Sequence, residues 1–158
     1  MEPAVIVRRP EAGDVAAMAQ VASASYRAAF AAILDAGELA RRDAASFVAR
    51  FTQRLADMRL AEVGGRVVGF SLVTGRHLDM LFIDPAAQGS GAGRALLDEA
   101  VGRGVNTLEC FRDNRLARGF YERAGWRLAR AYAREFAGGE HHFVFYALPP
   151  CGGGMTGA

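Results

Sequence analysis

The segment from Leu78 to Arg103 constrains this chain more than any other. Leu78-Asp79-Met80-Leu81-Phe82-Ile83 reads as a strand, Asp84-Pro85 ends it, and Gln88-Gly89-Ser90-Gly91-Ala92-Gly93 opens a helix running to about Arg103. A strand that passes through several glycines into a helix aims backbone N–H groups and the positive helix end at one point, which favours an anion such as phosphate. Glycine suits this role because a Cβ would hold the ligand off the backbone and because such turns can require positive φ. The same residues would also serve an ordinary tight turn.

Other phosphate sites are excluded. All 19 basic residues are arginine, so a Walker-type loop and Schiff-base chemistry both lack their lysine. The dinucleotide fingerprint G-x-G-x-x-G fails in both frames, with Arg94 or Leu96 at the third position.

Around this segment the pattern predicts a short strand at Ala4–Arg9, then a helix from Val15 capped by Asp14 and interrupted at Gly37. A second helix follows through Phe47, Val48, Phe51, Leu55 and Met58. Gly64-Gly65 turns one strand into the next, Val67–Val73. After the glycine segment come a strand at Val105–Phe111, a helix opened by Asn114 and closed by Gly125, and strands at Trp126–Phe136 and His141–Leu148 about a turn at Gly138-Gly139. The expected fold is a mixed α/β sheet (α+β) of about seven strands with about four helices, forming one domain over 1–149 with a flexible glycine-rich tail over 150–158.

With 158 residues and net charge +2, the chain suits a single globular domain and lacks the bulk charge of a nucleic-acid binder. Two distant cysteines and three histidines form no metal or disulfide pattern, so no metal is expected. No secretory signal or membrane-spanning run is read, so a cytoplasmic protein without membrane contact is expected. Arginines concentrate between 103 and 134, as a solvated face or as a site for a phosphorylated ligand.

Asp84-Pro85-Ala86-Ala87-Gln88-Gly89-Ser90-Gly91-Ala92-Gly93-Arg94 resembles the acyl-coenzyme A signature Q/R-x-x-G-x-G/A of the GNAT N-acetyltransferase superfamily. A second family element is matched by Asn114, Ala117, Phe120-Tyr121-Glu122 and Gly125-Trp126, and the order of elements fits from about Val5 to Leu148. The resemblance implies a GNAT-like fold splayed at the acyl-CoA site, with acetyl-CoA as co-substrate and an amine, on a small molecule or a peptide, as acceptor. It implies that backbone amides of Gln88, Gly89, Ser90, Gly91, Ala92, Gly93 and Arg94 hold the pyrophosphate. Backbone groups of Leu81, Phe82 and Ile83 would pair with the pantetheine arm, and an N–H there would polarise the thioester. Asn114 would touch the cofactor arm, cap its helix, or do both.

Tyr121 matches the family tyrosine that protonates the leaving thiolate; a packing role is the alternative. The base is open between Asp79 and His77, which share a face if the strand alternates strictly, with Glu109 a third candidate. An acetyl-cysteine on Cys110 lacks an activating neighbour in the sequence. Tyr26, Phe30, Asp35, Glu38, His141 and His142 fall where the family binds its acceptor, without naming it. Two functions remain: an N-acetyltransferase acting by direct attack, or an acyl-CoA sensor or interaction module on the same fold. A homodimer is kept open.

Overall fold

The computed structural model describes residues 4–150, so residues 151–158 of the expected tail, Cys151 among them, lie outside the described residues. The chain divides into two compact units, one ending at Val105 and the other starting at Asn106.

The first unit contains β1 (Val5–Arg8), α1 (Val15–Phe30), α2 (Ala36–Arg41), α3 (Ala44–Gln53), β2 (Met58–Val63), β3 (Arg66–Thr74), β4 (His77–Ile83) and α4 (Ala92–Gly102). Its four strands pair antiparallel in chain order. Successive side chains alternate across this sheet, so each face packs a different helix set. On one face Tyr26 of α1 stands 5.4 Å from Phe47 of α3 and 5.4 Å from Phe82 of β4, while Phe51 lies 5.0 Å from Phe70. On the other, Ala92 and Leu96 of α4 pack with Ala61 and Val68 and against Val5, Val7, Leu81 and Ile83. Burying a side chain the size of Phe51 or Leu96 contributes about 1.5–3 kcal/mol.

Gly69 sets how closely α4 can approach. A Cβ there would collide with Ile83 Cδ1, stand 2.9 Å from the Phe82 carbonyl oxygen and 3.4 Å from Leu96 Cδ1. A central-strand glycine thus lets β4 and α4, the two elements flanking the glycine segment, close onto β3.

The second unit contains β5 (Thr107–Phe111), α5 (Arg115–Arg123), β6 (Arg127–Phe136) and β7 (Gly139–Ala147), with β7 pairing antiparallel to both β5 and β6. The inner side of α5 lies on one face, where Tyr121 sits 6.1 Å from Trp126 and 6.4 Å from Tyr146. The other face of the strands carries Phe111, Phe136 and Phe143, with the Arg134 guanidinium 4.1 Å from the Phe143 ring centre. Gly125 (φ 96°) closes α5, and the Trp126 N–H returns to the Tyr121 carbonyl at 3.0 Å.

The described residues form a mixed α+β fold with seven strands and five α-helices. The additional helix is α2, which passes through Gly37 because Asp35 caps it by accepting from the Glu38 N–H at 2.8 Å. Three local expectations change. Asp14 does not cap α1; it ends a 3-10 turn, accepting from the Glu11 N–H and pairing with Arg8 at 2.9 Å. The α3 helix ends at Gln53, and Leu55–Asp57 is a 3-10 turn before β2. The β6–β7 turn is made by Ala137 (φ 53°) and Gly138 (φ 79°), not Gly138-Gly139. No helix among the described residues is long and apolar enough to cross a membrane.

Candidate active site

In the first unit, β4 delivers the chain to the glycine segment through a tightly held corner. Asp84 ends the strand, its N–H donating to the Val68 carbonyl at 2.8 Å and its carboxylate accepting from the Ala86 N–H at 3.0 Å. The Ser25 hydroxyl of α1 donates to the Ile83 carbonyl at 2.9 Å and pins the strand end from the helix side. Sequence reasoning missed Ser25, because no local pattern signals a contact spanning 58 residues.

Gly89 (φ 86°) and Gly91 (φ 89°) both lie in the left-handed region, and a Cβ on either would meet nothing within 4 Å. The φ requirement expected of this turn is therefore real, and the space beside the backbone is open. Within the segment the Ser90 N–H donates to Ala87 at 3.2 Å and the Ala92 N–H to Ser90 Oγ at 3.3 Å. The first backbone bond of α4 runs from Ala95 to Gly91, at 3.0 Å. Hence the amides of Gln88, Gly89, Gly91, Gly93 and Arg94 have no acceptor among the described residues. These donors at a helix N-terminus suit an anion with several oxygens, such as a pyrophosphate. The Arg94 side chain is turned to Asp98 at 3.0 Å, so only its backbone belongs to this group.

Leu81, Phe82 and Ile83 are the last residues of β4 and pair with Ser71, Phe70 and Gly69 of β3. At the strand's other end the alternation of His77 and Asp79 is broken. Leu78 faces Val73 and Met80 faces Leu72, so Asp79 is an extra, unopposed residue in a bulge. Its carboxylate accepts from the Thr74 hydroxyl and lies 3.9 Å from Arg54, which also donates to Thr74 at 2.8 Å. His77 is half-buried opposite Thr74.

In the second unit Asn114 caps α5, accepting from the Ala117 N–H at 3.3 Å. Its carboxamide nitrogen donates to nothing among the described residues. Tyr121 is 7% exposed, and its hydroxyl has no hydrogen-bond partner among the described residues. Burial, with a smaller contribution from Cys110, holds that hydroxyl well above the ordinary phenol range. Burial also pushes the Cys110 thiol up to about 12.

Glu109 is engaged by the Tyr132 hydroxyl and by Arg134, whose Nε donates at 3.1 Å. Tyr132 is itself pushed up to about 12, first by burial and then by its bond to Glu109. The acidic residues expected near an acceptor are also occupied, Asp35 as the α2 cap and Glu38 by Arg41 and Arg42. Tyr26 and Phe30 are buried with their rings 4.7 Å apart. No group of three or more metal-ligating side chains occurs among the described residues.

The chain has relatives among known proteins. Residues 34–143 match the acetyltransferase (GNAT) domain family. A 62-residue stretch is 40% identical to the peptidyl-lysine N-acetyltransferase YjaB of Escherichia coli, covering 39% of this chain and 42% of that protein. Among solved structures, apo YjaB from Escherichia coli superposes with a TM-score of 0.75 at 23% identity, over 94% of this chain and 99% of that one. The PaiA N-acetyltransferase of Thermoplasma acidophilum, in complex with coenzyme A, gives 0.69 at 16% identity, over 92% and 99%. The family match spans most of the chain and includes the open glycine segment, both helix starts and Tyr121, and the chain belongs to the GNAT family of N-acetyltransferases.

Proposed function

We propose that the chain transfers the acetyl group of acetyl-CoA to a primary amine by direct attack, without an acetylated enzyme. The reading rests on one observation above all, the five unengaged amides around Gly89 and Gly91 in open space at the start of α4. They fit a pyrophosphate and nothing among the described residues uses them. When bound, acetyl-CoA supplies a thioester whose carbonyl carbon an uncharged amine attacks, with the thiolate departing.

The chain's residues have the following roles in this reading. Amides of Gln88, Gly89, Gly91, Gly93 and Arg94 hold the diphosphate, and the end of β4 guides the pantetheine arm. The Asn114 carboxamide nitrogen, unengaged beyond its cap, donates to that arm. Tyr121 keeps its proton throughout the neutral range and gives it to the departing sulfur. Cys110 is supported as a bystander, because a thiol pushed up to about 12 supplies almost no thiolate at neutral pH. The base is Asp79 or His77. The bond from Thr74 and the nearby Arg54 give Asp79 a structural duty as well, so Asp79→Asn and His77→Gln rates must be compared to decide between them. For the acceptor we place a peptidyl lysine first, on the name of the relative that shares 40% identity over 62 residues.

The test needs no acceptor. Thermal melting is followed with acetyl-CoA, dephospho-CoA and adenosine diphosphate, since a ligand that binds only the folded chain stabilises it by about 2.7 kcal/mol at a hundredfold excess over Kd. A rise of several degrees with acetyl-CoA, smaller with the fragments, is expected. No rise at saturation would overturn the donor assignment and with it the enzyme reading.

A further inference from the structure

The outer edge of β6 is unused. The strand pairs with β7 on one side and with no strand on the other among the described residues. Eight of its ten residues are exposed, and only Tyr132 and Phe136 are half-buried. A long open edge is a template for another strand, and proteins usually shorten, charge or cover it. Here the guards are a bulge at Ala129, where the register with β7 shifts between Leu128 and Arg130, and the arginines themselves. Beyond the bulge, residues 130–136 run regularly.

We propose that a second copy of this chain occupies this edge, β6 pairing antiparallel with β6 about a two-fold axis at Ala133. Symmetry and charge select this register. A two-fold axis perpendicular to a continuous sheet keeps the faces of the two copies aligned, so residues directly opposite each other must come from the same face of the strand. Within 130–136 the axis must then pass through a residue. Centring on residue 132 sets Arg130 against Arg134 twice, and centring on residue 134 sets Arg134 against itself. Centring on residue 135 sets Glu135 against itself, and centring on residue 131 leaves an overlap of only three residues before the bulge.

Centring on Ala133 uses all seven residues. It sets Arg130 opposite Phe136, Tyr132 opposite Arg134 and Ala131 opposite Glu135, each twice. Every arginine then meets an aromatic ring, the arrangement β6 already uses within one chain. There the Arg130 guanidinium lies 5.3 Å from the Tyr132 ring centre and that of Arg134 lies 5.5 Å from Phe136. Arg130 has no carboxylate partner among the described residues, so facing Phe136 breaks no ion pair. About six to eight main-chain hydrogen bonds close the edge.

The test is the assembly of the full chain, independent of any acetyl transfer. Sedimentation equilibrium is expected to show a dimer at about 100 μM, a concentration at which even a weak symmetric contact is populated. With Cys110 and Cys151 replaced by alanine, Ala133→Cys is expected to give a disulfide-linked dimer under mild oxidation, because directly opposite Cα atoms lie about 4.5–5.5 Å apart. Ala131→Cys is expected not to, since the two copies of residue 131 are offset by about 13 Å along the strand.

Ala133→Lys, at an exposed position that lysine does not crowd in the single chain, is expected to weaken the dimer about fivefold or more by opposing like charges. A monomer overturns the proposal, even one that captures an acidic peptide on the same edge. So does cross-linking at position 131 in place of 133.

Discussion

Two helices of this protein begin in opposite ways. At α5 the Asn114 side chain accepts from the Ala117 N–H, and the first turn is closed by the protein itself. Asp35 and Asp43 do the same for α2 and α3. At α4 the residue before the helix is Gly91 in the left-handed region, which has no side chain to offer, and apart from the Ser90 and Ala92 N–H groups the flanking amides stay unengaged among the described residues. A side-chain cap contributes about 0.5–2 kcal/mol, so the start of α4 forgoes stability that its neighbours take. In the proposed function α4 is the end that takes the ligand, while the cap on α5 serves the fold, with Tyr121 carried on its buried side.

The strongest way to break this contrast is Gly91→Val. The position has open space but a φ of 89°, so valine strains the turn by about 1–2 kcal/mol and places its branches beside the backbone where the diphosphate must approach. The melting rise with acetyl-CoA is expected to vanish, a loss of roughly a thousandfold or more in affinity at the tested concentrations, while the free protein still folds cooperatively. An undiminished rise would make the start of α4 an ordinary turn.

On the α5 side, Tyr121→Phe keeps the ring contacts with Trp126 and Tyr146 and removes only the hydroxyl. The expected result is a fall in kcat on the order of a hundredfold with little change in KM for acetyl-CoA. Because burial raises the Tyr121 hydroxyl above its ordinary value, the wild-type rate should show no falling limb from this group as pH reaches about 10, where a free phenol titrates. A falling limb near that value that disappears in Tyr121→Phe would mean the hydroxyl is wetter than its 7% exposure implies. Equal rates for variant and wild type would return Tyr121 to packing alone.

The same contrast explains what could be read from the sequence. The glycine segment was legible because its requirements are local: positive φ at Gly89 and Gly91, and no Cβ beside the backbone, follow from residue type and order. Asn114 and Gly125 were legible as the start and end of α5 for the same reason. What escaped depends on residues far apart. The bulge at Asp79 is set by pairing with β3 and undoes the strict alternation from which His77 and Asp79 were placed on one face. The short helix α2 was hidden because Gly37 reads as a breaker until Asp35 is seen to cap through it. Glu109 looked available as a base, but Tyr132 and Arg134, more than twenty residues away, engage it across the strands.

Asn114→Ala sharpens the comparison from the capped side. Loss of the bond to Ala117 should cost about 1 kcal/mol, or about 3 °C in Tm for a chain of this size. If Asn114 only caps, acetyl-CoA raises the melting temperature of the variant as much as that of wild type. A smaller rise would show that its free carboxamide nitrogen also reaches the ligand, and the two helix starts would then differ in degree rather than in kind.

The smallest expected effect concerns the dry inner side of α5, where Cys110 keeps its proton up to about 12 against an ordinary value of 9.0. Below pH 9 the folded and unfolded chains both hold this proton, so it makes no difference between them. From about pH 9 the unfolded chain releases it freely while the folded chain does not, so stability falls as pH rises. Tyr26, Tyr121, Tyr132 and Tyr146 act in the same direction as pH approaches 10, but equally in wild type and Cys110→Ala, so the thiol shows in the difference between the two proteins. Urea unfolding from about pH 9 to 10 should show wild type losing about 1 kcal/mol that Cys110→Ala retains, whatever constant offset the smaller side chain adds. Parallel curves for the two proteins would mean that water reaches Cys110. The side of α5 that carries Tyr121 would then be as open as the start of α4, and the contrast between the two helices would lose its basis.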